Sequence, residues 1–295
     1  MNDKNKVYLC LSLLLSGCNA FLLEPCPGEE PAWSEVSTGY VHICALDNDG
    51  EVACTSTRDI GEVPLGPLRG VTSGYDFSCA LDEDNTPICW ASEGRIGGDE
   101  ADTSQPYSRL EAGMDHVCGV REDDTVGCWG EDDDGQAAVP SDLGAVTALS
   151  VGNRHTCAID AAGALRCWGA PGAWLAEGVG GAWALVAAGK DLTCAVDLDG
   201  VLTCWGDTSP DLAALDGLDI QSMAAGSLGL CALDADDLLS CALLEEAELP
   251  EGPARSLDLS LNPALGAFSY GCVLDESSAL SCFGGDFPAL PTLPE

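Results

Sequence analysis

Fourteen of the 17 cysteines fall into seven pairs with one spacing. They are Cys44/Cys54, Cys79/Cys89, Cys118/Cys128, Cys157/Cys167, Cys194/Cys204, Cys231/Cys241 and Cys272/Cys282, each pair ten residues apart. Successive first members lie 35, 39, 39, 37, 37 and 41 residues apart. A recurrent period in this range marks a solenoid, a propeller or an array. The chain is therefore read as one supersecondary unit written seven times.

The unit from Val151 to Gly169 shows what the spacing means. Thr156–Asp160 reads as a short strand, Ala161–Gly163 as a turn with glycine where positive φ is needed, and Ala164–Trp168 as the return strand. The midpoint of Cys157 and Cys167 is residue 162, the centre of that turn. The two cysteines thus lie opposite each other across an antiparallel hairpin. Opposed Cα atoms are about 4.5–5.5 Å apart, within disulfide reach. Zinc is the rival reading, but zinc ligands come as four gathered groups at shorter spacing. Buried free thiols are the third reading. Disulfides are expected, each stapling a loop of about eleven residues for roughly 2.5–3 kcal/mol in the chain-entropy model.

The remaining cysteines belong to an N-terminal address. Lys4 and Lys6 precede an apolar run from Val7 to Leu15, followed by Leu15-Ser16-Gly17-Cys18. A basic start, a short apolar core and small residues form a secretory signal. The run is well short of the ~20 residues a spanning helix needs. Leu-Ser-Gly-Cys resembles a bacterial lipobox, which implies cleavage before Cys18 and a lipid on its sulfur. Residues 1–17 are then the signal peptide, 18–32 the lipidated cysteine and a Pro- and Glu-rich tether, and 33–295 the repeats. Asn19 rather than Asp after the cysteine favours, by analogy with known lipoproteins, the outer membrane. Cys10 leaves with the signal, and Cys26 in the tether is left over.

Other positions recur with the cysteines. A glycine stands five before the first cysteine in six units (Gly39, Gly74, Gly113, Gly152, Gly189, Gly226), while the seventh has Gly266 at six before. Tryptophan follows the second cysteine at Trp90, Trp129, Trp168 and Trp205, and Phe283 does so in the seventh. Thr55 and Ala242 stand there in the first and sixth units, whose hairpins should pack less well. The third unit reads Ala112-Gly113-Met114-Asp115-His116-Val117-Cys118, then Cys128-Trp129-Gly130, then Gly135-Gln136. This resembles the repeat of the regulator of chromosome condensation (RCC1) family over about residues 33–295. The resemblance implies an all-β fold, a seven-bladed propeller of four-stranded blades, close to the compact secreted bacterial β-lactamase inhibitors built on the same repeat. A ring leaves no apolar blade face uncovered. The first and last units should meet, with one terminal strand completing the other's blade. The Pro-rich end, Phe287–Pro294, is a candidate for that closing segment or for a loose tail.

Most candidate chemistry dissolves under this reading. His42, His116 and His155 each stand two before the first cysteine of a unit, where the family repeat also has histidine, so a structural role is expected and no metal site. The Asp-rich turns Asp47–Gly50 and Asp197–Gly200 are hairpin turns. Glu131, Asp132, Asp133 and Asp134 form a weak calcium candidate, short of the five or more oxygens calcium requires. Nucleophile, zinc-protease and phosphate-loop motifs are absent, and no cofactor is expected.

The formal net charge of −38 repels phosphate and removes nucleic acid from the partner list. The same charge suits solubility or a cationic partner. The expectation is a non-enzymatic, lipid-anchored protein of the bacterial cell envelope that binds an unidentified protein, a cationic one suiting the charge, through one propeller face. Two alternatives stand: an inhibitor of a secreted hydrolase, which aromatic residues clustered on one face would support, and a glycan-binding or glycan-processing propeller, which two carboxylates converging in the channel would support.

Overall fold

Each hairpin announced by the cysteine spacing carries a third strand on its inner side. The computed structural model describes residues 32–91, 101, 103–170, 172, 180–206, 211–243, 247–261, 269–285 and 290–291. Blade one holds β1 (Trp33–Thr38), β2 (His42–Asp47) and β3 (Val52–Ser56). Blade two holds β4 (Arg69–Ser73), β5 (Phe77–Leu81) and β6 (Pro87–Ala91). Blade three holds β7 (Tyr107–Ala112), β8 (His116–Arg121) and β9 (Val126–Gly130). Blade four holds β10 (Val146–Val151), β11 (His155–Asp160) and β12 (Leu165–Gly169). Blade five holds β13 (Trp183–Ala188), β14 (Leu192–Asp197) and β15 (Leu202–Gly206). Blade six holds β16 (Ile220–Ala225), β17 (Gly229–Asp234) and β18 (Leu239–Leu243). Blade seven holds β19 (Ala254–Leu259), β20 (Tyr270–Asp275) and β21 (Leu280–Gly284).

Among the described residues, all seven sheets are antiparallel and three-stranded, in sequence order, with the first strand facing the central channel. This corrects the four-stranded blade that the resemblance implied. In the third unit, for example, the stretch after the outer strand (131–145) runs as turns and loop and adds no fourth strand.

Every cysteine pair is a disulfide between directly opposed residues of a middle and an outer strand. Cys44–Cys54, Cys79–Cys89, Cys118–Cys128 and Cys157–Cys167 staple blades one to four. Cys194–Cys204, Cys231–Cys241 and Cys272–Cys282 staple blades five to seven. The Cα atoms are 4.0–4.1 Å apart, closer than the spacing of opposed residues in an unbridged hairpin led one to expect. The two members of a pair differ in burial. The first cysteine is fully buried in every blade, because its strand has a neighbour on both sides. Its partner, Cys54, Cys89, Cys128, Cys167, Cys204, Cys241 or Cys282, is only half-buried, because the outer strand is paired on one side alone.

The hairpins share one turn chemistry. Three residues after the first cysteine an aspartate Oδ1 accepts two backbone N–H groups of the turn, as Asp160 does from Ala162 (2.8 Å) and Ala164 (2.9 Å). Asp47, Asp82, Asp197, Asp234 and Asp275 repeat this, and only the third blade departs, with Arg121. Six residues after the first cysteine the chain enters the left-handed region in every blade. Gly50, Gly163 and Gly200 occupy it without cost, whereas Asn85, Asp124, Asp237 and Ser278 do so at φ of 59–72°.

There is no single core. Seven apolar clusters occur, one in each gap between neighbouring blades. Trp90, Trp129 and Trp168 are buried in such gaps, each beside the neighbouring blade, and Phe283 serves likewise. Ala242, expected to pack poorly, is 3% exposed and sits in the cluster between blades five and six.

The ring closes without strand exchange. Among the described residues, blades one and seven each use three consecutive strands, and neither contributes a strand to the other. The seam is polar instead. Asp258 Oδ2 accepts from Thr38 N (2.7 Å), Thr38 Oγ1 (3.1 Å) and Ser37 Oγ (3.2 Å). Tyr270 Oη donates to the carbonyls of Gly39 and His42, both at 2.8 Å, and Arg255 donates to the Trp33 carbonyl. Most of the Pro-rich end lies outside the described residues.

Candidate functional site

The three histidines are fully buried, and each reaches into the next blade. His42 Nε2 meets Ser78 Oγ at 2.8 Å, His116 Nε2 meets Thr156 Oγ1 at 2.9 Å, and His155 Nε2 meets Thr193 Oγ1 at 2.9 Å. Each hydroxyl stands directly before the first cysteine of its own blade. Burial lowers the imidazole pKa values to about 4, 3 and 4, so the rings are neutral in the folded protein. They are links between blades. Beside them run the recurrent glycines. A Cβ on Gly152 would fall 2.6 Å from His155 Cε1 and against the Gly189 carbonyl, so the column has no room for a side chain. In blade seven that place is taken by Ser260, whose carbonyl accepts from Ser227 N (2.9 Å). Gly266 lies outside the described residues.

The half-buried cysteines are packed and not presented as a site. Cys54, Cys89 and Cys128 lie against the apolar clusters beside blades one, two and three, and Cys167 against that beside blade four. Cys204, Cys241 and Cys282 do the same in blades five, six and seven. Cys18 and Cys26 lie outside the described residues.

The acidic run 131–134 is occupied with local structure. Asp132 Oδ1 accepts from Ala137 N (2.8 Å), and Asp134 pairs with Arg154. Burial and the neighbouring Asp133 raise the Glu131 pKa. Among the described residues no three His, Cys, Asp or Glu side chains gather as metal ligands. Gln136, the glutamine of the Gly-Gln motif, is buried; its carbonyl accepts from Thr156 Oγ1 (2.9 Å) and its Oε1 from Asp134 N (2.9 Å).

The channel is where functional groups assemble. It encloses a cavity of about 260 Å³ lined by the inner strands of all seven blades. The residue opposite the first cysteine in each blade forms one layer: Ser37, Thr72, Glu111, Ser150, Ala187, Ala224 and Asp258. Thr72 Oγ1 accepts Ala112 N at 2.8 Å and Ser150 Oγ accepts Ala188 N at 3.0 Å, the same link to the next blade that Asp258 makes to Thr38. Glu111 in blade three and Asp258 in blade seven are three blades apart one way and four the other, so they face each other across the channel. Burial raises Glu111 to about 7, with Arg109 opposing and Asp258 adding, and raises Asp258 to about 6 against its own hydrogen bonds.

The turns joining inner to middle strands ring one mouth of this channel. Tyr40 and Tyr75, equivalent residues of blades one and two, stack there with centroids 4.3 Å apart and planes 8° from parallel. Arg58 lies over the Tyr40 ring at 5.8 Å, and Met114 holds the same position in blade three. Asp115, Glu131, Asp133 and Asp134 flank Met114 around a neighbouring hollow. Sequence reasoning named none of Glu111, Asp258, Tyr40 or Tyr75. Aligning the units on their first cysteine places Ser37, Thr72, Glu111, Ser150, Ala187 and Ala224 seven residues upstream, so that column was readable. Asp258 was not, because the β19–β20 connection is seven residues longer than the three-residue turns elsewhere and displaces it to fourteen upstream.

Comparison with known proteins agrees with this architecture. The model of the regulator of chromosome condensation (RCC1) repeat matches residues 146–172. The CRINKLY WD40 ectodomain of the Arabidopsis thaliana receptor kinase ACR4 superposes with a TM-score of 0.69 at 21% identity, covering 90% of this chain and 100% of that one. The ectodomain of the Physcomitrella patens receptor kinase CR4 gives 0.71 at 23% identity, covering 89% and 76%. Prp20p of Saccharomyces cerevisiae gives 0.56 at 15% identity, covering 87% and 75%. A search of curated protein sequences finds no match. The chain is a seven-bladed β-propeller, and its fourth unit matches the RCC1 repeat model.

Proposed function

We propose that the protein is a non-catalytic, envelope-anchored interaction module that is lipidated on Cys18 and binds a protein through the channel mouth bearing Tyr40 and Tyr75. The observation that carries this reading is the half-buried Tyr40–Tyr75 stack on the inner turns of blades one and two. Rigid aromatic side chains on loops of a stiff scaffold are the usual anchors of protein recognition. Acidic groups beside Met114 and the net charge of −38 suit a cationic partner. The propeller Prp20p is described as binding Gsp1p and histones, and yeast RCC1 is recorded bound to Kap60, so the fold serves protein binding elsewhere.

The aromatic cluster on one face also favours a second reading, inhibition of a secreted hydrolase, which uses the same surface. The glycan reading gains two carboxylates in the channel, but Asp258 accepts three hydrogen bonds across the seam and a fourth from Leu259 N, and is poorly placed to act as an acid or base.

The test is cross-linking of the lipidated protein in envelope extracts, followed by affinity measurement with the partner so identified. Tyr40→Ala and Tyr75→Ala should each weaken binding by about tenfold or more. Unchanged affinity in both would move the surface elsewhere. Cys18→Ala should leave the detergent phase, and retention there would remove the anchor.

A further inference from the structure

One position after the recurrent glycine, blades one to four carry Tyr40, Tyr75, Met114 and Asn153 in turn around the channel mouth. Tyr75 N donates to the Met114 carbonyl (2.9 Å), so the Tyr40–Tyr75 stack runs directly into Met114. Beyond Met114 lies the hollow between blades three and four, of about 400 Å³. Asp115, Glu131, Asp133 and Asp134 line it, and the single basic residue on its wall, Arg154, is paired with Asp134. Burial, and then the charges of Asp133, Asp115 and Asp134, raise the Glu131 pKa, so a cation entering here lowers the repulsion. Asn153 lines the same hollow. It is 6% exposed, and its side-chain carbonyl Oδ1 has no hydrogen-bond partner. A buried carbonyl oxygen without a donor is costly, and a ligand carrying N–H groups would satisfy it. Among the described residues no three acids converge as metal ligands, so these acceptors are spread too widely for one divalent ion. A guanidinium spans such a set, because its donors are fixed in a plane and point outward in several directions. An ammonium is a compact point charge and reaches fewer of these walls at once. The hydrocarbon stem behind a guanidinium finds Met114 on the wall.

Resting on the reading of this mouth as a protein-binding surface, we propose that the hollow between blades three and four receives an arginine side chain of the bound protein, its guanidinium held by Asp115, Glu131, Asp133 and the Asn153 carbonyl and its stem against Met114. The partner then makes two contacts of different kinds, an apolar one on the stacked rings and a charged one beyond Met114. Salt weakens the second, because Glu131 and Asp133 are exposed.

Titration of the disulfide-bonded protein with N-acetylarginine N-methylamide, read by backbone amide chemical shifts in nuclear magnetic resonance, tests the hollow without any partner. The expected result is saturable shifts at Asp115, Glu131 and Asn153. The neutral citrulline analogue should bind about tenfold more weakly or worse, and the lysine analogue about threefold more weakly. Glu131→Gln/Asp133→Asn should weaken the arginine probe by about tenfold. Asp199→Asn removes one acid from a hairpin turn of blade five, at the other end of the strands, and should change the affinity by less than about twofold. Should the double variant not fold, the comparison of arginine with citrulline in the native chain decides. Absence of shifts in the hollow, citrulline or lysine binding as tightly as arginine, or wild-type affinity in a folded double variant would each overturn the assignment. With the partner in hand, Glu131→Gln/Asp133→Asn should weaken it by about tenfold; unchanged partner affinity beside normal binding of the probe would overturn the partner's arginine. If instead Tyr40→Ala and Tyr75→Ala leave partner affinity unchanged, the stacked anchor fails, and the probe titration judges the hollow separately.

Discussion

The gap between blades four and five and the gap between blades two and three use the same slot in opposite ways. In the first, His155 meets the Thr193 hydroxyl; in the second, Phe77 packs with Val117 inside an apolar cluster. The residues stand at identical positions, two before the first cysteine in one blade and one before it in the next. The pairing holds in six of the seven gaps, and glycines (Gly229 and Gly271) stand in the seventh. Ser78, Thr156 and Thr193 are the hydroxyl-bearing residues at their position, and the blades before them are those that carry His42, His116 and His155. Leu192 and Leu230 share one apolar cluster, and Tyr270 and Ile43 another. Either a polar pair or an apolar pair satisfies the gap, because what burial penalises is a polar group left alone. Each unit therefore constrains its neighbour more than itself.

The largest expected effect comes from breaking that match. Phe77→His places an imidazole against Val117, which offers no hydroxyl, and removes a buried ring; a loss of about 3–5 kcal/mol in denaturant unfolding follows from cavity and desolvation costs. Adding Val117→Thr should recover about 1 kcal/mol or more as coupling between the two sites. Strict additivity would show that the slot is not read pairwise.

The next effect distinguishes the two kinds of gap by pH. A histidine whose folded pKa is lowered to about 4 contributes stability fully above its unfolded value near 6.5, and that contribution fades as pH falls from 6.5 to 4. Glu111 and Asp258, raised to about 7 and 6, act in the opposite sense, since their neutral forms favour folding at low pH and this benefit fades as pH rises. The double variant His155→Leu/Thr193→Leu makes the gap between blades four and five apolar. It should remove about 2–3 kcal/mol of the loss on acidification across that window. An unaltered profile of stability against pH would mean that His155 is not held neutral.

The smallest effect leaves the gaps alone. Asp237 is at φ 59°, in the hairpin position that Gly50, Gly163 and Gly200 occupy in other blades. Asp237→Gly should stabilise by about 0.5–1 kcal/mol, and calorimetric melting would read it as a small rise.

How much of this was legible follows from how local each feature is. The hairpins and their disulfides were, because one hairpin closes within eleven residues and its register is set by its own turn. The unequal burial of the two cysteines in a pair was not, because it depends on the third strand, which the spacing does not announce. The three-stranded blade and the seam were also less legible. Asp258 is chemically ordinary in the sequence and becomes a latch only when Thr38, 220 residues away, comes round to meet it. The histidine column was visible in the sequence, but the hydroxyl partners lie a whole repeat downstream. The six turn aspartates were visible as a column three after six of the seven first cysteines, yet only three of their turns were read as such. Part of the acidity is thus hairpin grammar.

Strand exchange gives most closed rings a marked place where the chain must begin and end. Here every blade is contiguous among the described residues, and the seam repeats with Asp258 the link that Thr72 and Ser150 make between interior blades. Topologically the circle has no privileged origin. A gene for such a chain is free to gain, lose or rotate whole repeats, provided each new neighbour fits the slot it is offered.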